Sequence, residues 1–281
     1  MAVLPLGIGL SACSAGVTLL NVVTSRAGYE VLHDQPYAEG ERGRYDLYVP
    51  DGADAATPMV VFLYGGSWDS GSKDIYAFLG QSLASAGIAV AIPDYRLYPE
   101  VVFPAFVEDG AAAVAAVAEA ASAGEGLPAG DHPLFLMGHS AGAEIAALLA
   151  FDRRYLAREG LAQDRLAGFI GLAGPYDFLP LTEERYKRIF PEATRVASQP
   201  INFVDEKAPP MLLIAGDGDT TVDPGNTRRL GAKAAAVGAS ASVEILPGLS
   251  HIGVLRVLAT ALPFQNEQIR DSILRFIRER S

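Results

Sequence analysis

The sequence predicts an α/β fold built on a mostly parallel, doubly wound sheet, and three observations support this prediction. Short continuous apolar runs recur along the chain, helical stretches separate them, and Gly, Pro or Asp residues bound them. Apolar runs without polar alternation are typical of strands that are buried on both faces. Strand–helix alternation of this kind favours right-handed crossovers between parallel strands.

The first two strands are predicted to differ, because alternating segments at 29–32 and 45–49 flank a polar stretch that contains glycine. This pattern indicates an antiparallel N-terminal hairpin. The polar, Pro-containing stretch 176–210 interrupts the later alternation, and we expect a small cap-like insertion or pocket wall there. Buried strands are predicted at 59–63, 88–92, 134–137, 169–172, 211–215 and 243–246, and helices at 74–86, 103–121, 141–156, 224–237 and 264–280.

Composition limits the classes of protein to which the chain can belong. Its 281 residues are 50% hydrophobic and carry a formal net charge of −11. The length and the apolar content suit one domain, at 26–281, with a large core. Because nucleic-acid binding requires clustered cations, an acidic chain is a poor nucleic-acid binder. The single cysteine and the absence of metal-ligand spacing among His and Cys predict no metal and no other cofactor.

Residues 1–25 have a different character, because positions 2–20 are almost wholly apolar or small. Leu10-Ser11-Ala12-Cys13 resembles the bacterial lipobox, in which the cysteine is lipidated after cleavage, although no Lys or Arg precedes it. We expect a lipoprotein signal segment, membrane attachment through a lipidated Cys13, and a location in the cell envelope, either periplasmic or at the outer membrane. A plain secretory leader, a packed N-terminal segment and a cytoplasmic location are the alternatives.

Residues 138–142 read Gly-His-Ser-Ala-Gly and match the G-x-S-x-G pattern of a nucleophilic serine. They follow a predicted strand and precede a predicted helix, which is the context that this pattern needs. The two glycines permit a tight turn in which the backbone of Ser140 is strained, and the helix N-terminus supplies electrostatic support. Ser140 is therefore the candidate nucleophile.

A serine hydroxyl needs a base that takes its proton and an acid that orients the base. His251 is the one histidine that follows Ser140, and it lies in a loop after a predicted strand. Asp217, Asp219 and Asp223 compete for the position of the acid, at the end of the preceding strand. We favour Asp219, because such folds usually place this acid there. Asp217 is the alternative, and it is also typical of a turn residue that binds its own backbone.

Donors for an oxyanion are expected at two places. One is the amide of Ala141, directly after the candidate nucleophile. The other is the loop Tyr64-Gly65-Gly66-Ser67-Trp68, because glycine lets the backbone approach a bound carbonyl closely. Trp68 either lines a substrate pocket or anchors this loop in the core, and the sequence leaves both interpretations open.

With these motifs the sequence resembles the bacterial α/β-hydrolases of the carboxylesterase group. It is most similar to the branch that joins small carboxylesterases, acetylxylan and feruloyl esterases, and kynurenine formamidase-like enzymes. The motifs are specific for the fold and the triad but not for the substrate. The matching stretches are 64–68 (YGGSW), 93–100 (PDYRLYPE), 103–109 (FPAFVED), 137–143 (MGHSAGA), 216–222 (GDGDTTV) and 250–253 (SHIG).

The resemblance implies an α/β-hydrolase fold and a serine carboxylesterase that hydrolyses short-chain carboxylic esters through an acyl-enzyme. Its partner is then a small-molecule ester. A formamidase or amidase with an N-formylkynurenine-like substrate and a feruloyl or acetylxylan-type esterase are alternatives within the same machinery. A non-catalytic binding protein on the same scaffold is a distant alternative, because such proteins usually lack a member of the triad.

The resemblance also assigns roles to individual residues. Glu144 stands where relatives often carry histidine, and we expect a structural role for it. The implied triad is Ser140, Asp219 and His251. The implied oxyanion hole consists of the backbone amides of Gly66, Ser67 and Ala141. The candidate substrate contacts are Tyr64, Trp68 and Tyr176.

Overall fold

An eight-stranded sheet forms the centre of the computed structural model, which describes residues 27–260 and 267–281. The order of the strands across the sheet is β1-β2-β4-β3-β5-β6-β7-β8. Strand β2 is antiparallel to both of its neighbours, and all other neighbouring pairs are parallel. The strands are β1 (Tyr29–Pro36), β2 (Arg44–Pro50), β3 (Met59–Leu63), β4 (Ala89–Pro93), β5 (Leu134–His139), β6 (Leu166–Leu172), β7 (Met211–Gly216) and β8 (Ala241–Leu246).

Helices cover both faces of this sheet, as the alternating side chains of β3 demonstrate. Leu63 points to the face where α2 and α3 pack, since Gly110 of α2 lies against Leu63 and Ile145. Phe62 points to the opposite face and packs on the ring of Tyr76, with the ring centroids 5.4 Å apart. Within the described residues the α-helices are α1 (Ala77–Ala84), α2 (Ala105–Ala123), α3 (Ala141–Phe151), α4 (Arg154–Arg158), α5 (Glu184–Ile189), α6 (Gly225–Val237), α7 (Gly253–Arg256) and α8 (Gln268–Arg278).

The predicted fold is confirmed, including the antiparallel hairpin of β1 and β2, but two predicted helices are shorter in the structure. The helix expected over 74–86 is an α-helix only at Ala77–Ala84, and a 3-10 turn at Lys73–Tyr76 precedes it. The helix expected over 141–156 ends at Phe151, and α4 begins at Arg154. Asp152 interrupts it with an extended backbone (φ −89°, ψ 94°). Its carboxylate accepts hydrogen bonds from the amide and the guanidinium of Arg154. Aspartate side chains compete in this way with the helical backbone for its own donors.

The segment proposed as a signal, residues 1–25 with Cys13, lies outside the described residues. In the part of the chain that the structure describes, no helix combines the length and the apolar character needed to cross a membrane. Membrane attachment through Cys13 and the envelope location stay predictions.

Candidate active site

Ser140 lies in the sharp turn between β5 and α3, at the carboxyl edge of the parallel strands. Its backbone has φ 55° and ψ −126°, a conformation that a non-glycine residue keeps only when its surroundings enforce it. Gly138 and Gly142 permit the turn. A Cβ on Gly138 would clash with the backbone of Gly142, and a Cβ on Gly142 would clash with the backbone of Leu63. The amide of Ser140 donates to the carbonyl of Leu172 over 2.9 Å, which fixes the turn on β6.

The side chains of Ser140, His251 and Asp219 form one hydrogen-bonded row. Nε2 of His251 lies 2.9 Å from Oγ of Ser140, and Nδ1 lies 2.7 Å from Oδ2 of Asp219. The three residues follow β5, β8 and β7, whose carboxyl ends meet at one edge of the sheet. With Nδ1–H donated to the carboxylate, Nε2 carries the lone pair that faces the serine hydroxyl. This arrangement can transfer a proton from the serine to the histidine.

The carboxylate of Asp219 is held in its ionised form. Burial raises its pKa, but the hydrogen bond from His251 and those from the amides of Thr221 (2.8 Å) and Val222 (2.9 Å) outweigh burial and lower the pKa below the usual value. Hydrogen bonds to the charged form of a carboxyl group stabilise that form. A negative charge is therefore present beside His251, where it can stabilise an imidazolium.

The two competing aspartates have other partners. Oδ1 of Asp217 accepts a hydrogen bond from the amide of Gly248 over 2.6 Å, which links the loops after β7 and β8. Oδ1 of Asp223 accepts from the amide of Gly225 over 2.9 Å. Neither carboxylate contacts His251. The structure thus places Asp219, and not its competitors, against the histidine ring.

The loop after β3 lies directly beside the candidate nucleophile. A Cβ on Gly65 would stand only 2.9 Å from the Cβ of Ser140, so the missing side chain permits the close approach. Gly66 has φ 145° and Ser67 has φ 52°. Across residues 27–260 and 267–281, the amides of Gly66, Ser67 and Ala141 have no hydrogen-bond acceptor. These three donors are free to bind an oxyanion.

Two cavities meet at Ser140 and differ in size and polarity. The smaller one has a volume of about 210 Å³, and the larger one, about 450 Å³, lies between the loop after β3 and the segment 175–186. Apolar walls of the smaller cavity come from Ile75, Tyr76, Ile252 and Leu255. The larger cavity combines the rings of Trp68, Phe178 and Tyr186 with the polar groups of Asp177, Glu183, Asp223, Asn226 and Arg229.

The structure corrects two of the three predicted substrate contacts. Trp68 lines the larger cavity, whereas Tyr64 and Tyr176 line neither cavity and are fully buried. The hydroxyl of Tyr64 donates to Oδ1 of Asp94 over 2.6 Å, and its ring stacks on Tyr95 beneath the loop. The ring of Tyr176 packs into β6. Both tyrosines support the site from below, and their prediction as substrate contacts is wrong.

Sequence reasoning missed two hydrogen bonds at the site. Nε1 of Trp68 donates to Oε2 of Glu144 over 3.0 Å, with both side chains buried. The ring of His139 donates from Nε2 to the carbonyl oxygen of His251 over 3.1 Å. A signal for the first was present, because Glu144 is a charged residue in an otherwise apolar helix, and a buried carboxyl group needs a partner.

Metal ligation is not supported by the residues that the structure describes. Among residues 27–260 and 267–281, no group of three or more His, Cys, Asp or Glu side chains could hold a metal ion. Of the other histidines, His33 pairs with Asp46, and both ring nitrogens of His132 face backbone carbonyl groups.

The chain is similar in sequence to enzymes that cleave carboxylic esters and formamides. Isoprenylcysteine alpha-carbonyl methylesterase ICME of Arabidopsis thaliana is 30% identical over 238 residues, which are 76% of this chain and 55% of that protein. Kynurenine formamidase of Salmo salar is 32% identical over 168 residues, which are 59% of this chain and 53% of that protein. The chain thus spans about half the length of these curated relatives.

A structural comparison identifies the fold of the chain, and a family model identifies its family. A solved structure described as a truncated form of carbohydrate esterase from gut microbiota has a TM-score of 0.77 at 20% identity, covering 92% of this chain and 98% of that chain. This similarity confirms the predicted α/β-hydrolase fold. The BD-FAE family model matches residues 45–234, which are more than half of the chain. The predicted resemblance is confirmed as well: the chain belongs to the BD-FAE family and has the α/β-hydrolase fold of esterases.

Proposed function

We propose that this chain is a serine carboxylesterase that hydrolyses small-molecule esters through an acyl-enzyme. The observation that carries the proposal is the hydrogen-bonded row of Ser140, His251 and Asp219 beside a loop with free amides. Similarity to a methylesterase and to a formamidase supports the same type of reaction, which is acyl transfer to a nucleophile.

The first half of the reaction forms the acyl-enzyme. Oγ of Ser140 attacks the ester carbonyl carbon while Nε2 of His251 takes its proton. The tetrahedral intermediate then collapses, the ester C–O bond breaks, and the alcohol leaves with the proton from Nε2. Asp219 keeps Nδ1 of His251 protonated and stabilises the imidazolium between the two proton transfers.

The second half releases the acid. A water molecule gives its proton to Nε2 and attacks the acyl carbon, and the serine oxygen leaves with that proton. In both halves the carbonyl oxygen becomes an oxyanion, which the amides of Gly66, Ser67 and Ala141 would bind. Removing one such donor typically costs a factor of roughly 10²–10³ in kcat.

The cavities favour esters with one short apolar side. The smaller cavity, at about 210 Å³, is below the roughly 300–1,000 Å³ of pockets that hold drug-sized ligands. The larger cavity of about 450 Å³ can take a bulkier and more polar group. We therefore infer that short-chain esters, such as acetates and butyrates, are the preferred substrates.

Turnover of p-nitrophenyl acetate, butyrate and octanoate by the wild type and by Ser140→Ala tests the mechanism. We expect the variant to lose at least a factor of about 10³ in kcat. Ser242→Ala, at an exposed position in β8, is the matched control and keeps wild-type rates. A fluorophosphonate probe should label the wild type and the control but not Ser140→Ala. Equal rates in the wild type and Ser140→Ala would rule the mechanism out.

Formamide cleavage is the second candidate, and the kynurenine formamidase relatives favour it. The walls of the larger cavity argue against an amino-acid substrate such as N-formylkynurenine, because its one cation, Arg229, is already bound by Asp177 over 2.6 Å. Values of kcat/KM for N-formylkynurenine and for p-nitrophenyl acetate, measured side by side, distinguish the two functions.

Attachment to the cell envelope is a separate proposal that rests on the apolar segment at 2–20 and on Cys13. A lipidated Cys13 would hold the enzyme at a bacterial membrane. Fractionation of the native host should find the wild type with membranes and Cys13→Ala in the soluble fraction. If mass spectrometry finds an intact Met1 terminus on the membrane-bound protein, the proposal is contradicted.

A further inference from the structure

Glu144 is a buried carboxyl group that the proposed reaction does not use. It lies one helical turn after Ser140, and its amide donates to the carbonyl of Ser140 over 3.2 Å. Oε2 accepts the hydrogen bond from Nε1 of Trp68, while Oε1 has no partner within the described ranges. Its side chain is completely inaccessible to solvent. Burying a carboxyl group is costly, so its presence indicates a specific role.

Trp68 is the other end of this bond, and it follows Ser67 directly in the loop that would bind the oxyanion. Ser67 has φ 52° and Trp68 has φ 62°. Non-glycine residues in this region are strained and persist only where surrounding contacts enforce them. The carbonyl of Trp68 accepts from the amide of Tyr98 over 2.9 Å, and the indole is held by Glu144.

Aromatic rings from residues 178–190 enclose the indole of Trp68 on one side. Phe190 and Tyr186 meet it edge-on with centroid distances of 4.8 Å and 6.0 Å, and Phe178 stacks on it at 6.0 Å. These contacts bury the ring, and a buried indole N–H usually needs a hydrogen-bond partner. The hydrogen bond to Glu144 is directional, so it can fix the rotation of the indole within this apolar surrounding.

We propose that Glu144 is a positioning residue that holds the oxyanion loop against the nucleophile through the indole of Trp68. The proposal rests on the proposed esterase function. The oxyanion donors come from two elements, because Ala141 belongs to α3 whereas Gly66 and Ser67 belong to the loop after β3. Such donors must be held within about 0.5 Å of the productive geometry. Glu144 belongs to the same helix as Ala141, so its bond to Trp68 aligns the two elements.

The charge state of Glu144 decides which variant preserves the bond. Burial raises its pKa well above the usual value, and the hydrogen bond from Trp68 opposes this only in part. This shift favours the neutral acid, in which one oxygen accepts the hydrogen bond from the indole. A glutamine has the same shape and the same acceptor, so Glu144→Gln is the conservative variant. Leucine removes the acceptor and approximately keeps the volume.

The test compares Glu144→Gln, Glu144→Leu, Trp68→Phe and the double variant Trp68→Phe/Glu144→Leu. We expect Glu144→Leu and Trp68→Phe each to lower kcat by about ten- to a hundredfold with little change in KM, because displaced donors weaken the transition state more than the substrate complex. The double variant should lose no more than either single variant. Glu144→Gln should stay within about threefold of the wild type.

Intrinsic fluorescence supplies a readout that does not depend on turnover, since Trp68 is the single tryptophan of the chain. Its emission should be unchanged in Glu144→Gln and shifted in Glu144→Leu. Circular dichroism verifies that each variant is folded. If Glu144→Leu does not fold, Trp68→Phe tests the same bond from its other end.

The proposal is overturned if Glu144→Leu or Trp68→Phe keeps wild-type kcat, if Glu144→Gln loses as much as Glu144→Leu, or if the losses in the double variant multiply. Failure of the proposed function looks different, because the wild type and Ser140→Ala would then turn over esters equally. An active wild type with an unshifted emission in Glu144→Leu overturns the role of Glu144 alone.

Discussion

The ring of His139 donates a hydrogen bond to the backbone carbonyl of His251, so the residue before the proposed nucleophile holds the loop that carries the proposed base. The two rings lie 4.7 Å apart between centroids. Burial, together with the nearby ring of His251, lowers the pKa of His139 to about 3. His139 is therefore neutral at ordinary pH, and its Nε2 stays a donor to this carbonyl.

Replacement of this donor should loosen the base. In His139→Phe the carbonyl of His251 loses its partner, and we expect kcat to fall about tenfold, because a displaced base transfers protons less well. The acid limb of the pH–rate profile should stay where it is, since His139 does not titrate there. His132→Phe is the matched control, as His132 is buried before the amino end of β5, whereas the site lies at the carboxyl edge of the sheet. It should lower the melting temperature without lowering kcat, and equal losses of kcat in both variants would refute the expectation.

The neighbouring aspartates of the loop after β7 provide a matched pair of variants. Asp219→Asn removes the charge that orients His251, and losses of about 10⁴-fold in kcat are typical for this substitution in a Ser-His-Asp triad. Asp217→Asn keeps an acceptor for the amide of Gly248 and should stay within about threefold of wild-type kcat. Steady-state kinetics on p-nitrophenyl butyrate would distinguish them. Similar losses in the two variants would mean that Asp219 is not the acid.

The buried acid Glu144 should make stability depend on pH. Because its pKa is raised in the folded protein, the folded state keeps a proton that the unfolded chain releases near pH 4.5. The free energy of unfolding therefore falls as pH rises from that value to the raised pKa. Tyr95 and Tyr155 are the titratable groups whose pKa responds to Glu144, and burial raises both, so neither is charged in this window.

Glu144→Gln removes the titratable group, so the variant lacks this contribution to the pH dependence of the free energy of unfolding. We expect the melting temperature of the variant, relative to the wild type, to increase steadily with pH across the same window. Thermal unfolding at several pH values between 5 and 9 measures the difference. A constant difference at every pH would show that Glu144 has an ordinary pKa in the folded protein.

The smaller cavity should set the chain length that the enzyme accepts. Ile75 is half-buried and lines this cavity, so Ile75→Ala enlarges it. Each additional methylene that the cavity then buries is worth about 0.8 kcal/mol, or roughly fourfold in kcat/KM. In a panel of p-nitrophenyl esters, the acyl chain with the highest kcat/KM should be longer for Ile75→Ala than for the wild type. Ile201→Ala, a half-buried position that lines neither cavity, should leave the chain-length profile unchanged.

The strands and the order of the site residues could be predicted because they depend on local patterns. A run such as 59–63 is apolar throughout and lies wholly buried in β3. The tight turn around Ser140 has no room for a Cβ at Gly138 or Gly142, and the G-x-S-x-G pattern makes both glycines visible in the sequence. His251 followed from elimination, since no other histidine comes after this turn.

The contacts between distant segments could not be predicted in the same way. Glu144 and Trp68 are 76 positions apart, and the positive φ angles at Ser67 and Trp68 decide where the indole points. Tyr64 and Tyr176 are aromatic residues next to site loops, but their depth depends on packing that has no local signature. Asp152 ends a helix through its own side chain, although the apolar pattern continues to Leu156.

The parts of the site follow four different parallel strands, β3, β5, β7 and β8. Ser140 and His251 are 111 positions apart in the chain, and Asp219 and His251 are 32 positions apart. No contiguous fragment that ends before β8 therefore holds a complete reaction centre. During synthesis the proposed reaction centre stays incomplete until β8 and the loop after it have docked, so hydrolytic activity would report that β3, β5, β7 and β8 have assembled.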